Sequence, residues 1–77
     1  MVKQLKKPEE IKVTVNVKGA PLSLLRSGKR QKITAIYDGW WMETEKAYFR
    51  VKTSEELVYD IYHDVANNRW YLAKIHD

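Results

Sequence analysis

Apolar and polar residues alternate strictly from residue 11 to residue 18. A period of two is typical of a half-buried β-strand, so this stretch predicts a strand whose isoleucine and three valines face a core. Gly19-Ala20-Pro21 predicts the end of that strand. The apolar residues that follow are too few for an independent helix. We expect at most a short helical turn near 21–26, with its leucines closing one end of the fold.

Four more strands are predicted in the remainder of the chain. Residues 33–42 are β-branched and aromatic, with Asp38-Gly39 predicted as a bulge within the strand in preference to a hairpin turn. Alternation returns over 47–53, and two further strands are predicted over 57–63 and 70–76. Asn67-Asn68 predicts the turn between the last two strands, because asparagine tolerates positive φ.

The predicted fold is therefore all-β, with five antiparallel strands. Five twisted strands on so short a chain favour a small barrel or a tight sandwich, of the size of an SH3-like or OB-like domain. Residues 1–9 are polar and lysine-rich and include Pro8. We predict that they form a flexible basic tail before a single β domain over 10–77.

The length and composition set limits on the class of protein. A chain of 77 residues holds one domain with a thin core, which leaves little room for a deep pocket. The chain has no cysteine, which excludes disulfides and thiolate zinc sites and favours the cytoplasm. No signal peptide and no membrane-spanning run is predicted.

Positive charge is concentrated in the first half of the chain. Residues 1–34 hold nine lysines and arginines against two glutamates, a net charge of +7, whereas residues 35–77 carry a net charge of −3. Four basic residues cluster near Gly28 and are candidates for phosphate contacts: Arg26, Lys29, Arg30 and Lys32. The alternative is that these side chains only form a solvated face that keeps the protein soluble.

Aromatic doublets are the second candidate binding feature. In an extended strand, adjacent residues point to opposite faces, so one ring of each doublet is expected in the core and its neighbour outside. We predict that Phe49 and one tryptophan of each pair are buried. The outer rings of Trp40, Trp41 and Tyr48 could then stack on unpaired bases, worth about 1–3 kcal/mol per base. They could equally anchor a protein partner or stabilise a thin sheet through cross-strand pairs.

The chain shows no sequence motif of an enzyme. Glycine-rich phosphate loops, nucleophile elbows and zinc-protease motifs are all absent. Acidic residues and histidines cluster toward the end of the chain, at Asp60, His63, Asp64, His76 and Asp77. Asp60 and His63 are expected on opposite faces of one strand, so we predict no catalytic site, no metal site and no cofactor.

Several short segments occur along the chain in an order that resembles that of a known family. They are Pro21, Leu24 and Gly28, Ile33-Thr34-Ala35-Ile36, Trp40-Trp41, Tyr48-Phe49-Arg50-Val51, residues 59–64, and Asn68-Arg69-Trp70-Tyr71. This order resembles a small domain at the carboxyl-terminal end of bacterial ImuB-like relatives of Y-family DNA polymerases, and related short stand-alone proteins. The chain departs from the resemblance at Ser54-Glu55-Glu56, where a glycine is expected, and it has no room for a polymerase domain.

The resemblance implies an accessory module in DNA repair or translesion synthesis. It is a likeness between domains and does not by itself demonstrate an activity. Two functions follow as expectations. The first is a non-enzymatic module that binds single-stranded nucleic acid through the basic residues and the outer rings. The second is a protein-interaction module that docks a repair polymerase or related partner through its aromatic face or an edge strand.

Overall fold

The computed structural model describes residues 2–43 and 45–76, and the side chains of residues 5–37 and 45–76. Six antiparallel strands follow one another in chain order around a closed barrel. They are β1 (Val2–Val15), β2 (Pro21–Arg26), β3 (Lys29–Glu43), β4 (Lys46–Thr53), β5 (Val58–Asp64) and β6 (Arg69–His76). The described residues contain no helix. The all-β barrel is confirmed, but with six strands in place of five.

The additional strand is β2, which occupies the stretch predicted as a helical turn. Leu24 points into the barrel and is 1% exposed, whereas Leu22 is 47% exposed. The leucines therefore do not form the predicted plug at one end. Ser27 and Gly28, with φ of 50° and 78°, make the two-residue turn between β2 and β3. Positive φ at both turn positions matches the twist of a hairpin, which explains why the chain continues as strand here.

The first strand begins and ends earlier than the sequence pattern predicted. It starts at Val2, which pairs with His76, so residues 2–9 belong to a strand and not to the predicted tail. It stops before Val17, which is fully exposed instead of facing the core. The cause is local: the backbone N–H groups of Lys18 and Ala20 donate to Asn16 Oδ1 at 2.8 and 3.0 Å. This side-chain turn competes with continued strand pairing.

Two long strands divide the barrel into two sheets. β1 pairs with β6 as far as Ile11 and with β2 from Lys12 onward. β3 pairs with β2 as far as Lys32 and with β4 from Ile33 onward. We call β2 and the adjoining ends of β1 and β3, residues 12–15 and 29–32, the small sheet. We call β4, β5, β6 and the remaining parts of β1 and β3 the large sheet.

The core lies between these sheets and is built from the inward-facing residues, which alternate with outward-facing ones along the strands. Its buried members are Ile11, Leu24, Phe49, Val51, Tyr59, Ile61, Trp70 and Leu72. The predictions for Phe49 and for one ring of the Trp70-Tyr71 pair are confirmed. The register of β3 with β4 shifts between Ile36 and Trp40, where the bulge was predicted. Because a barrel this small has few inward positions, each inward side chain carries much of the hydrophobic stabilisation.

Candidate nucleic-acid interface

The outer face of the small sheet carries two adjacent cross-strand rows. In one row, Lys12 lies opposite Leu25 and Leu25 lies opposite Arg30. In the next row, Thr14 lies opposite Ser23 and Ser23 lies opposite Lys32. Residues directly opposite each other share a face of the sheet. We call these six residues the basic face.

The cations of the basic face have no acidic partner among the side chains that the structure describes. The side chains of Lys12, Arg30 and Lys32 are exposed, and none forms an ion pair with any residue whose side chain the structure describes. A cleft of about 190 Å³ is lined by Lys12 and Arg30, and also by Thr14 and Ser23. Neighbouring strands lie about 4.8 Å apart, so the three charges and two hydroxyls share a face about 10 Å wide. Such a face attracts an anion with several charged groups.

Two of the four predicted phosphate contacts are engaged within the protein. Arg26 Nε donates to Glu9 Oε2 at 2.8 Å, and Arg26 also donates to the hydroxyl of Tyr59 at 3.4 Å. The hydrogen bond with Glu9 is the main reason why the pKa of Arg26 is raised above its ordinary value. Lys29 forms an ion pair with Glu55. Arg26 and Lys29 are therefore less available to an outside anion than Arg30 and Lys32.

Lys12 is a member of the basic face that the sequence did not single out. The sequence did contain one indication of its position, because the strict alternation of the first strand predicted that Lys12 faces outward. Its position beside Arg30 depends on β2 lying between β1 and β3, and that strand was not predicted.

The predicted stacking residues lie on the other sheet. Tyr48 is on β4, in the large sheet, and is half-buried. The backbone of β3 places Trp40 opposite Phe49 and Trp41 opposite Tyr48. The side chains of Trp40 and Trp41, for which stacking was predicted, lie outside the described side chains. The structure does not bring Tyr48 together with Arg30 and Lys32 on one face.

Tyr48 instead belongs to a row of three tyrosines across the large sheet. The ring of Tyr62 lies between Tyr48 and Tyr71, with centroid distances of 5.1 and 5.2 Å, and Tyr62 is only 8% exposed. Lys46 Nζ lies 5.3 Å from the centroid of the Tyr62 ring. Burial, followed by the neighbouring tyrosines, raises the pKa of Tyr62. We call the outer side of β4, β5 and β6 the tyrosine face.

Some of the charged side chains on the tyrosine face form ion pairs. Arg50 Nε donates to Asp60 Oδ1 at 2.8 Å, and His76 Nε2 lies 3.1 Å from the same oxygen. Burial alone would raise the pKa of Asp60, but the hydrogen bond from Arg50 and the nearby imidazole of His76 outweigh it and lower that pKa below its ordinary value. Lys52 pairs with Glu56 at 2.9 Å. Lys46, Arg69 and Lys74 lie on the same side without a described ion pair, so this face also keeps positive charge of its own.

The acidic residues and histidines that cluster near the end of the sequence contact different partners in the structure. Asp60 meets His76, whereas the His63 ring stacks on Trp70 at 4.6 Å and its Nε2 lies 3.0 Å from Asn68 Oδ1. Asp64 accepts a hydrogen bond from Asn67 at 2.9 Å, which is the main reason why the pKa of Asp64 is lowered. Asp77 lies outside the described residues. Within the described part of the chain, no three histidine, aspartate or glutamate side chains are grouped so that they could hold a metal ion.

Comparisons of the chain with protein-family models, with curated proteins and with solved structures gave no match. Among the described residues, no helix is long and apolar enough to span a membrane.

Proposed function

We propose that this protein is a non-enzymatic module that binds single-stranded nucleic acid on the basic face. The observation that carries the proposal is the set of three exposed cations, Lys12, Arg30 and Lys32, in adjoining rows without a described acidic partner. Positive charge without an internal partner contributes little to holding a fold together. It is, however, the feature that a polyanion recognises.

Phosphate groups fit the chemistry of this face. Lysine and arginine neutralise phosphates, and hydroxyl groups such as those of Thr14 and Ser23 donate hydrogen bonds to phosphate oxygens. Contacts of this kind supply affinity without reading sequence. A face about three strands wide suits a single strand, which can curve along it. We therefore expect binding that depends strongly on salt and weakly on base sequence.

The cellular setting of the proposal comes from the resemblance described above. A small binding module similar to the carboxyl-terminal domain of ImuB-like proteins would act beside a repair polymerase, keeping a single strand near it. The absence of cysteine supports a cytoplasmic location.

The proposal is tested by measuring fluorescence anisotropy of a labelled oligothymidine at several salt concentrations. The test variant is the double neutralisation Arg30→Gln and Lys32→Gln. The matched control is Lys46→Gln and Arg69→Gln, which removes the same charge from the large sheet. Each lost phosphate contact lowers the slope of log affinity against log salt by about 0.7 for a single strand. We therefore expect the slope to fall by about 1.4 in the test variant and to stay unchanged in the control.

Two outcomes would contradict the proposal. One is that wild-type protein does not bind oligothymidine at low salt. The other is that both double variants weaken binding equally, which would show that only net charge matters. A duplex of the same length, measured in parallel, shows whether the face prefers single strands.

A further inference from the structure

The barrel leaves one stretch of β1 with a strand on only one side. The pairing of β1 with β6 ends where Ile11 lies opposite Trp70, because β6 begins at Arg69. The following residues, Lys12–Val15, pair with β2 on their other side. In the described part of the barrel, no strand pairs with this second edge of Lys12–Val15.

The backbone groups of two valines point toward this open edge. Asn16 donates its N–H to the carbonyl of Ala20 at 2.9 Å, on the side where β2 lies. Successive residues of an extended strand direct their N–H and C=O groups to alternate sides. The N–H and C=O groups of Val13 and Val15 therefore point away from β2. An edge of this kind can accept the backbone of another extended chain.

A groove of about 550 Å³ runs beside the open edge. Its lining includes Val13, Val15 and the stacked rings of His63 and Trp70, whose planes are 12° apart. Val15 is 40% exposed although it lies in a strand. The groove thus combines free main-chain groups with an apolar surface, as peptide-binding sheet edges do.

The charges at the rim indicate which occupant fits. Lys12 and Arg69 line the groove against a single acidic residue, Glu10. A second copy of the chain would bring the same positive edge, including Lys12, against its own kind, which is unfavourable. A chain segment with acidic residues complements this rim.

We propose that this groove binds an extended acidic peptide of a protein partner, which adds as a strand beside Val13–Val15. Alternate acidic side chains of the peptide meet Lys12 and Arg69, and an apolar side chain packs against Trp70. The site is separate from the phosphate contacts of Arg30 and Lys32, although Lys12 lies at the border of both.

The test uses a labelled short peptide of alternating valine and glutamate, with fluorescence anisotropy and amide hydrogen exchange as readouts. In the free protein, the amides of Val13 and Val15 should exchange quickly and the amide of Thr14 slowly. Bound peptide should protect the two valine amides. Val15→Pro removes one donor from the open edge and should weaken peptide binding about tenfold. Val17→Pro is the matched control, because Val17 lies at the second position of the turn that starts at Asn16, where proline is favoured.

Three results would overturn the proposal. The first is that the wild-type protein does not bind the peptide, and the second is that Val15→Pro leaves peptide binding unchanged while melting at the same temperature as the control. The third is protection of the valine amides that rises with protein concentration in the absence of peptide. The last result would assign the edge to a second copy of the chain. Binding of oligothymidine is measured in the same variants. Val15→Pro should retain it, and Arg30→Gln with Lys32→Gln should weaken it while keeping peptide binding, so that each proposal fails separately.

Discussion

The two outer faces of the barrel both carry lysine and arginine, but they surround these residues with different side chains. On the tyrosine face, Asp60 lies between Arg50 and His76, and Tyr62 lies between two other rings. On the basic face, Arg30 and Lys32 stand without a described acidic partner. Both faces belong to sheets whose inner sides form one core. The difference therefore lies in how each face meets its neighbours and the solvent.

This contrast separates stability from binding. Side chains that are enclosed by partners in the folded state stabilise it, because removing one leaves the others unpacked or unpaired. Side chains without partners add little to folding and remain available to a ligand. We infer that the large sheet maintains the barrel and that the small sheet contacts the anion. The following predictions test that division.

The largest effect is expected from truncating the central ring of the tyrosine row. Tyr62→Ala removes a ring that is 8% exposed and packed between Tyr48 and Tyr71. We expect it to lower the free energy of unfolding by about 3 kcal/mol, as measured by urea denaturation. The matched change on the basic face is Leu25→Ala, which also removes the middle residue of a row. Leu25 is only half-buried, so a cost of about 1 kcal/mol is expected.

Tyr62→Phe provides the control for this comparison, since it keeps the ring and removes only the hydroxyl. It should cost far less than the alanine variant. Equal losses from Tyr62→Ala and Leu25→Ala would show that the two faces contribute equally to folding, and the division proposed above would be wrong.

A smaller effect is expected from protonating Asp60. Its pKa is lowered in the folded state, so its contribution to stability is present above its ordinary pKa of 3.8 and is lost as the pH falls below that value through the folded pKa. When the pH is lowered below about 4, we expect the wild-type protein to unfold at a lower urea concentration. At neutral pH, Asp60→Asn should cost about 2 kcal/mol, because Arg50 and His76 lose their buried partner. That variant should also lose less stability on acidification than the wild-type protein does.

Glu55→Gln is the control for Asp60→Asn. Its partner Lys29 is well exposed, and exposed ion pairs contribute about 0–1 kcal/mol. If Asp60→Asn and the wild-type protein show the same dependence on acid, Asp60 does not have the role that its contacts indicate.

Local patterns in the sequence predicted most of the large sheet. Strict alternation marked the strand that became β4, and Asn68, with φ of 52°, lies in the turn predicted between the last two strands. These elements follow from neighbours within a few residues. The same local reasoning failed at Val17, because alternation alone does not register the hydrogen bonds that Asn16 makes to end the strand.

The basic face was only partly predictable. Arg30 and Lys32 were recognised as candidates from their density in the sequence. Their position beside Lys12 depends on two long-range registers, one on each side of β2. β2 has no alternation to mark it, since residues 21–26 include adjacent leucines. The arrangement that brings these three lysine and arginine side chains to one face therefore depends on tertiary structure, which a single sequence does not show.

The smallest effect on stability is expected where the largest effect on binding is proposed. Arg30→Gln with Lys32→Gln removes two exposed charges that have no described partner, so the free energy of unfolding should change by less than about 0.5 kcal/mol. The two cations lie two residues apart on one face and repel each other, so the change should be a slight gain at low salt. Salt should abolish the gain, because the Debye length falls to about 3 Å at 1 M. A loss above about 1 kcal/mol in urea denaturation would instead show that these side chains support the barrel, and their availability to a nucleic acid would then lose its physical basis.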